Sequence, residues 1–339
     1  MSERKMTPSD GKDPGASAEG RRFDVAALGE LLIDFTPSGE SGQGNQLFEA
    51  NPGGAPCNVL AMLAKLGRRP AFLGKVGDDL FGRRLRESAR GAGIDVRGLV
   101  LDPAANTTLA FVQLKPDGVR ELSFYRDPGA DELLRPVELD EGVLTSARVF
   151  HFGSLSLTRD PARSATQRAV ELAKQAGALI SFDPNLRPLL WPGLDMAREQ
   201  MLWGCSVCDI LKVAEEELQF LTGEAEIAAG VAALRGKYPN IRLMTVTKGK
   251  SGSEAFYRDL TARRPTYGSE LAVDTTGAGD TFCGCCLDFV LEHGLDGLTQ
   301  DDLEEMLSFA NAVAALVTRK KGALRSMPEK AAVRALLER

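Results

Sequence analysis

The stretch Asp274-Thr275-Thr276-Gly277-Ala278-Gly279-Asp280 decides how the rest of the chain is interpreted. It lies between the short apolar run 271–273 and a segment of small and apolar residues, 281–287, that is typical of a tightly packed helix. Glycines at such a junction let the backbone approach a ligand closely. The first N–H groups of a helix have no internal partners and point outward. The stretch therefore predicts an anion site at the start of a helix.

Asp280 falls in the first turn of this predicted helix, where its carboxylate is aimed at the anion site. A carboxylate in that place cannot itself be a ligand of the anion. It is better placed to take a proton from a nucleophile that attacks the anion. The simpler alternative is a glycine-rich turn in which Asp280 only caps the helix.

The whole chain has 339 residues, enough for one large α/β domain with an accessory piece or for two domains. Its net charge of −6 argues against nucleic acid as a partner. No apolar run approaches the roughly 20 residues that span a bilayer. Residues 1–22 are polar and rich in charge, which predicts a disordered tail without the apolar segment of a secretion signal. We therefore expect the six cysteines to be reduced and the protein to be cytoplasmic.

Buried-strand patterns alternate with helical patterns along most of the chain, which predicts a doubly wound, mostly parallel sheet with helices on both faces. The predicted strands are 23–35, 71–76, 149–153, 178–183, 210–213 and 243–247. The predicted helices are 59–66, 79–92, 161–176 and 215–221. Asp34 closes the first of these strands, and ligands of open α/β sheets collect at the carboxyl ends of strands.

Residues 107–125 break this alternation. Two strand-like segments, 109–114 and 120–125, flank the turn-forming segment 115–119, which predicts a β-hairpin. A hairpin inserted into such a chain suggests a separate small sheet, such as a lid over a site. The sequence thus divides into an α/β core over 23–36, 49–106 and 132–332 and a β lid over 37–48 and 107–131.

Three polar clusters follow predicted strands. The first joins Asp34 to Gly53, Gly54 and Asn58, because glycines allow close approach and an amide both donates to and accepts from hydroxyl groups. The second contains Arg187, in a loop stiffened by prolines. This arginine pairs either with a phosphate or carboxylate of a ligand or with a surface acid. The third is Thr247-Lys248-Gly249.

These residue types suit phosphoryl transfer to a hydroxyl group. That reaction needs a base, an anion hole, a pocket for hydroxyl groups, exclusion of water and a nucleotide with Mg²⁺. The chain has no G-x-x-x-x-G-K-[ST] motif. The loop Gly277–Asp280 must therefore hold the phosphates.

At this point the chain resembles the ribokinase-like (PfkB-type) carbohydrate kinases, and among them most the fructokinases. Gly53-Gly54-Ala55-Pro56-Cys57-Asn58 is similar to the N-terminal signature of that family, and the stretch 274–280 to the C-terminal one. The resemblance covers about residues 23 to 332. Further fructokinase-like segments are 29–35, 124–126, 183–187 and 320–323.

The resemblance implies a role for each matched residue. Asp280 would be the base, and the anion hole would be formed with it by Gly277, Ala278 and Gly279. Residues that would hold the sugar are Asp34, Gly53, Gly54 and Asn58, with Arg126 and Arg187 as candidates. Residues that would line the nucleotide pocket are Thr247, Lys248, Gly249 and Asn311. Metal candidates are Glu217 for Mg²⁺, and Asp274 and Thr276 for a monovalent cation such as K⁺.

The same resemblance implies ATP as the phosphoryl donor, D-fructose as the sugar, fructose 6-phosphate as the product and a homodimer formed through the lid. One departure concerns Mg²⁺, because Ala214 stands where many relatives carry Asn three residues before the acid Glu217. Alternatives are a kinase for 2-keto-3-deoxygluconate, ribose or another sugar, and a catalytically silent interaction protein. A nicotinamide-dependent dehydrogenase is disfavoured because no G-x-G-x-x-G follows the first strand.

Overall fold

The structure, a computed structural model, describes residues 22–114, 120–322 and 324–338. In chain order its strands are β1 (Phe23–Leu28), β2 (Leu32–Glu40), β3 (Gln46–Gly53), β4 (Pro70–Gly77), β5 (Asp95–Asp102), β6 (Leu109–Leu114), β7 (Arg120–Tyr125), β8 (Ala147–Gly153), β9 (Leu179–Asp183), β10 (Ile210–Ala214), β11 (Leu243–Thr247), β12 (Ser253–Tyr257) and β13 (Leu260–Arg264). The predicted tail lies outside the described residues, except for its last residue.

The helices of the described residues surround these strands. They are α1 (Ala55–Lys65), α2 (Leu80–Gly91), α3 (Glu141–Thr145), α4 (Ala162–Gln175), α5 (Leu194–Val207), α6 (Glu215–Thr222), α7 (Ile227–Lys237), α8 (Ala278–His293), α9 (Gln300–Val317) and α10 (Lys330–Leu337). Within the described part of the chain, no helix has both the length and the apolar character needed to cross a membrane.

Nine strands of the described chain form one large sheet in the order β13-β12-β11-β10-β9-β8-β1-β4-β5. All neighbours are parallel except the pairs that β12 makes with β11 and β13. All six residues of β1 are buried, as expected for a strand covered by helices on both faces. One apolar core packs on each face of this sheet. The predicted doubly wound fold is therefore confirmed.

A separate small sheet has the order β3-β2-β6-β7. Strands β6 and β7 pair in antiparallel fashion, which confirms the predicted hairpin. The predicted turn 115–119 lies outside the described residues. Strand β6 also pairs in parallel with β2, so the hairpin and an earlier part of the chain build one sheet.

The prediction of a single strand over 23–35 is wrong. The chain leaves the large sheet after Leu28 and enters the small sheet at Leu32. At the crossing, a Cβ atom on Gly29 would lie only 2.6 Å from the ring of Pro56, so a side chain would not fit. Asp34 therefore belongs to the small sheet and does not close a core strand. The small sheet is correspondingly wider than the predicted lid segment 37–48, since it spans Leu32–Glu40 and Gln46–Gly53.

Two glycines set the starts of the helices that meet at the site. Gly54 precedes α1 with a φ of 128°, and a Cβ atom there would lie 2.4 Å from the carbonyl oxygen of Glu30. Gly277 precedes α8 with a φ of 77°, a conformation that favours glycine. Helix α8 packs against both α1 and α9. The first turns of α1 and α8 thus open onto the same space.

Candidate active site

A cavity of about 320 Å³ lies between the carboxyl edge of the large sheet and the small sheet. It collects predicted residues from both parts of the chain. Those that line it are Asp34, Gly54, Asn58, Arg187, Asp274, Thr276, Gly277, Gly279 and Asp280. Segments far apart in sequence therefore meet in one site.

The anion loop has the geometry that its sequence predicts. Gly277 immediately precedes α8, and Ala278, Gly279 and Asp280 form the first turn. The N–H of Ala278 donates to the carbonyl of Thr275 at 3.3 Å. Among the described residues, the N–H groups of Gly279 and Asp280 have no acceptor. These two N–H groups can therefore bind an anion at the start of the helix.

Asp280 is buried beside this loop and has two amide partners. The Nδ2 atom of Asn58 donates to its Oδ2 at 2.8 Å, and the Nδ2 atom of Asn185 lies 3.4 Å from its Oδ1. Burial raises the pKa of Asp280, while the hydrogen bond from Asn58 and the charges of Lys212 and Arg187 oppose that rise. Asn185 has a φ of 45°, which is unusual for a residue with a side chain. The carboxylate is thus oriented and basic enough to accept a proton from a ligand.

Lys212 is a site residue that the sequence predictions missed. It lines the cavity, and its ammonium lies 3.0 Å from the point where a Cβ atom on Gly279 would sit. The ammonium is held 3.0 Å from the carboxylate of Asp183 on the neighbouring strand.

Burial alone would lower the pKa of Lys212, but the carboxylates of Asp183, Glu217 and Asp280 outweigh it and raise that pKa above its ordinary value. The site therefore presents a permanent positive charge next to the anion loop. The available signal was a lysine inside the otherwise apolar strand 210–214, near its carboxyl end.

The small sheet supplies the opposite wall. A Cβ atom on Gly53 would lie 2.5 Å from Oδ2 of Asp34, so a side chain there would force that carboxylate to move. Asp34 is half-buried at the cavity wall. Loss of water around its carboxyl group raises the pKa of Asp34 to about 7, although the positive charge of Arg187 opposes this rise. Within the described chain, the Oδ1 atom of Asn58 is buried and has no hydrogen-bond donor. A hydroxyl group of a ligand would satisfy that acceptor.

Glu30 is a second missed residue. It lies at the crossing between the two sheets, lines the cavity, and accepts a hydrogen bond of 2.7 Å from the N–H of Ala55 at the start of α1. Burial raises the pKa of Glu30 to about 7, although hydrogen bonds from the backbone oppose the shift. The available signal was an acid set between apolar residues at the end of the first buried run.

The structure separates the two arginines proposed for the sugar. Arg187 lines the cavity. Arg126 does not, because its buried guanidinium lies 2.7 Å from Asp131 and 3.6 Å from Glu132 and also donates to the carbonyl of Leu155. These partners occupy the N–H groups of the guanidinium, so Arg126 does not reach the cavity.

The three metal candidates are engaged by the protein itself. The Oε1 atom of Glu217 accepts the N–H of Leu186 at 2.7 Å, and Oε2 accepts the N–H of Ala214 at 2.8 Å. The two oxygens of this carboxylate thus fix the ends of two neighbouring loops. Each oxygen keeps a second lone pair, so a role of Glu217 toward Mg²⁺, direct or through bound water, stays a prediction.

Asp274 holds the anion loop in a similar way. Its Oδ1 accepts both the N–H and the hydroxyl of Thr276, at 3.0 and 2.7 Å, and its Oδ2 accepts the N–H of Gly322 at 3.2 Å. In the described part of the chain, no group of three or more His, Cys, Asp or Glu residues is arranged to hold a metal ion. A divalent ion here would take most of its ligands from water and from the oxygens of a bound nucleotide.

The four predicted nucleotide residues cluster outside this cavity, where strands β11 to β13 approach α9. Asn311 donates to the carbonyls of Arg264 and Pro265, both at 3.1 Å. The ammonium of Lys248 lies 2.8 Å from Glu254, and the hydroxyl of Thr247 contacts the carbonyl of Val213 at 3.4 Å. Gly249 follows with a φ of 53°. Their role toward a nucleotide stays a prediction.

The fold and the site together define a class of protein. The buried carboxylate of Asp280 lies beside helix N–H groups that have no acceptor in the described part of the chain and beside a buried lysine. A small sheet borders a pocket that can accept hydroxyl groups. This arrangement suits a kinase that phosphorylates a small polyhydroxylated molecule and holds phosphate without a P-loop.

Comparisons with known proteins agree with that class. A family model described as pfkB family carbohydrate kinase matches residues 22–330. Fructokinase-1 of Oryza sativa subsp. japonica is 45% identical over 321 residues, which are 94% of this chain and 99% of that protein. A fructokinase from Xylella fastidiosa solved with bound ATP has a TM-score of 0.85 at 32% identity, covering 93% of this chain and 98% of that one.

A further solved structure is a fructokinase double mutant from Vibrio cholerae O395 with fructose, ADP and potassium ion bound. Its TM-score is 0.83 at 30% identity, with 94% of this chain and 99% of that chain covered. The chain belongs to the pfkB family of carbohydrate kinases, and it is an ATP-dependent sugar kinase.

Proposed function

We propose that this kinase transfers the γ-phosphoryl group of ATP to the 6-hydroxyl of D-fructose, giving fructose 6-phosphate. The observation that carries the proposal is the position of Asp280, whose carboxylate is buried beside the free N–H groups at the start of α8. The sugar is taken from what the similar proteins are named for, and the residues below support it.

In the proposed reaction, Asp280 accepts the proton of the sugar hydroxyl as that oxygen attacks the γ-phosphorus. The N–H groups of Gly279 and Asp280 and the ammonium of Lys212 stabilise the charge on the transferring group. The raised pKa of Asp280 makes it a better proton acceptor than an exposed aspartate. Asn58 and Asn185 keep its carboxylate oriented.

The sugar would be held from the small-sheet side. The orphan Oδ1 of Asn58 accepts one hydroxyl, and Asp34 accepts others. Because Gly53 has no side chain, the carboxylate has room at the cavity wall. Since the pKa of Asp34 lies at about 7, part of its population is protonated at neutral pH and can also donate to a hydroxyl oxygen.

Mg²⁺ and K⁺ are proposed as the ions of the reaction. Mg²⁺ would neutralise charge on the nucleotide phosphates when bound. The oxygens of Asp274 and Thr276 suit a monovalent cation next to the anion loop, because they are hard oxygen ligands from one short segment.

The proposed nucleotide pocket consists of Thr247, Lys248, Gly249 and Asn311. A cytoplasmic location is proposed from the six cysteines, which are buried and unpaired.

We also propose that the small sheet closes as a lid and pairs with a second copy. Its outer face carries a ring cluster in which Phe111 contacts Phe35, Phe48 and Tyr125, and Tyr125 is 68% exposed. Saturating fructose should slow hydrogen exchange in β6 and β7. The molar mass from light scattering should be that of a dimer for the wild type and that of a monomer for Tyr125→Asp. Unchanged exchange would contradict the lid, and a monomeric wild type would contradict the pairing.

A second candidate substrate is 2-keto-3-deoxygluconate. Arg187 lines the cavity and could pair with the carboxylate of an acid sugar. Partial protonation of Asp34 weakens the repulsion that would otherwise exclude such a substrate.

The test is release of ADP from Mg-ATP with a panel of D-fructose, D-ribose and 2-keto-3-deoxygluconate. We expect kcat/KM to be highest for fructose. Asp280→Asn serves as the inactive control for contaminating kinases. A higher kcat/KM for 2-keto-3-deoxygluconate would replace fructose as the substrate and make Arg187 the principal sugar contact.

A further inference from the structure

A second cavity, of about 610 Å³, shares no lining residue with the active-site cavity. Helices α1 and α2 and the segment Leu324–Arg325 form its walls. Its charged lining residues are Lys65, Arg84, Glu87 and Arg325. The volume falls in the range of roughly 300–1,000 Å³ that is usual for small-molecule sites.

Two of these charges have no partner among the described residues. Arg84 and Arg325 are exposed, and neither makes an ion pair or a side-chain hydrogen bond with any residue that the structure describes. The neighbouring Arg83, by contrast, lies 2.8 Å from Asp78, and Arg97 lies 2.7 Å from Asp95. Unpaired guanidinium groups brought to one cavity from two separate elements leave an excess of positive charge there.

The rest of the lining does not cancel that excess. The ammonium of Lys65 is already 2.5 Å from Glu329, and Glu87 is the one acid among the lining residues that the structure describes. Ser88 adds a hydroxyl donor to the same wall. Guanidinium forks with an added hydroxyl are the groups that proteins use to bind phosphate. The chemistry therefore fits a small phosphate monoester.

This cavity is connected to the active site by two elements. The segment that carries Arg325 also carries Gly322, which lines the active-site cavity and whose N–H donates to Oδ2 of Asp274 at 3.2 Å. The hydroxyl of Ser326 donates to the carbonyl of Gly322 at 2.5 Å. This hydrogen bond joins the residue after Arg325 to Gly322. A ligand that binds Arg325 could therefore shift this segment and, through the bond from Gly322 to Asp274, change the position of the anion loop.

Helix α1 makes the second connection. Asn58 in its first turn lines the active-site cavity, and Ala61 and Lys65, three and seven residues further on, line the second cavity. Residues at this spacing share one side of a helix. A small displacement of α1 at one cavity would thus be felt at the other.

We propose that the second cavity binds a small phosphorylated molecule, with its phosphate group between Arg84 and Arg325, and that binding there changes catalysis through the segment that carries Gly322 and Arg325. The shared chemistry covers both free phosphate and a sugar phosphate. The site adds regulation to the kinase and does not depend on which sugar is phosphorylated.

The binding test uses the full chain with its active site filled by a non-hydrolysable ATP analogue and sugar. Calorimetric titration with inorganic phosphate and, separately, with fructose 6-phosphate should each reveal one site per chain. Arg84→Gln and Arg325→Gln should each weaken it by about tenfold or more, the loss of one charge-assisted bond. Arg83→Gln, on the same helix but paired with Asp78 outside the cavity, should bind like the wild type.

The coupling test measures initial rates with and without inorganic phosphate at fixed ionic strength. We expect kcat/KM of the wild type to change by about fivefold or more, as for a typical coupling between sites. The two cavity variants should keep the basal rate and lose the response. No binding to the wild type, or an equal loss in Arg83→Gln, would overturn the site. Binding without any change in rate would overturn the coupling.

Discussion

The two walls of the active-site cavity differ in how firmly the fold holds them. On the core side, Asp183, Lys212 and Asp280 are all buried. Asp183 and Lys212 form an ion pair at 3.0 Å between neighbouring strands, and Asp280 accepts a hydrogen bond of 2.8 Å from Asn58 on α1. On the small-sheet side, Asp34 and Thr36 are half-buried and belong to a four-stranded sheet. In the proposed mechanism, the proton transfer takes place on the more rigid core-side wall, and the small sheet contributes Asp34 as a sugar contact.

The largest effect is expected from Asp280→Asn on the rigid wall. Loss of the base should lower kcat by roughly 10²–10⁴-fold while sugar binding, measured by calorimetry, persists. Asp288→Asn is the matched control, because Asp288 lies on the same helix but pairs with Arg68 outside the cavity. If Asp280→Asn kept more than about a third of the wild-type kcat, the base would have to be another group.

The next effect concerns Lys212→Met. Removing a charge that faces the transferring group should lower kcat by about 10²–10³-fold. Lys75→Met is the control, since Lys75 is equally buried and lies 2.8 Å from Glu138 but is absent from the lining of the cavity.

Both lysine variants should unfold at lower temperature. Lys212→Met leaves the buried carboxylate of Asp183 without its ion pair, and Lys75→Met removes the ion pairs of a buried ammonium with Asp102 and Glu138. Only Lys212→Met should lose kcat per folded molecule, with the folded fraction taken from circular dichroism. Equal kcat losses in the two variants would mean that Lys212 acts through stability alone.

Glu30, where the two walls join, should govern how stability varies with pH. Its pKa in the folded state is about 7, above the ordinary value, so the folded protein keeps a proton that the unfolded chain releases. Its contribution is therefore present at low pH and is lost as the pH rises toward 7.

Glu30→Gln should remove that loss and keep the acceptor for Ala55. Relative to the wild type, we expect the free energy of unfolding to gain about 3 kcal/mol between pH 4.5 and pH 8, as the size of the pKa difference implies. Urea titrations at the two pH values measure it, with the exposed Glu49→Gln as control. Parallel pH profiles in wild type and Glu30→Gln would contradict the assignment.

The smallest effect is expected on the small-sheet wall. Asp34→Ala should reduce kcat/KM for fructose by an amount worth about 1–3 kcal/mol, because buried hydroxyl groups lose a partner. Glu49→Ala, opposite Thr36 on the adjacent strand, should leave it unchanged. Intact fructose kinetics in Asp34→Ala would show that the small sheet does not read the sugar.

The same division between walls explains what the sequence could predict. Core strands such as β9 and β11 are short, mostly apolar runs, so their pattern identifies them. The glycines of the anion loop indicate where α8 begins. The break between β1 and β2 could not be found this way. Both halves of 23–35 are apolar, and the crossing depends on Pro56, a contact distant in sequence.

Side-chain roles divide for a similar reason. Motif residues such as Asp280 and Asn58 carry their chemistry in local patterns, and the structure brings them together at 2.8 Å. The sequence predicts Arg126 at the sugar site and does not single out Lys212. The structure has Lys212 at the cavity and Arg126 away from it, because ion pairs decide where a buried charge points. Arg126 pairs with Asp131 and Lys212 pairs with Asp183, and neither ion pair can be predicted from the spacing of the residues in the sequence.

The backbone conformation of Asn185 lowers the stability of the folded protein at the active site. A side-chain-bearing residue at a φ of 45° is held in a sparsely populated region, at a cost of the order of 1 kcal/mol. Asparagine tolerates this conformation better than most residues. The loop therefore gives up some stability to hold an amide beside Asp280, and a glycine there would relax the backbone while removing the amide. Strain of this kind ties the activity of the enzyme to a conformation that its backbone alone would not choose.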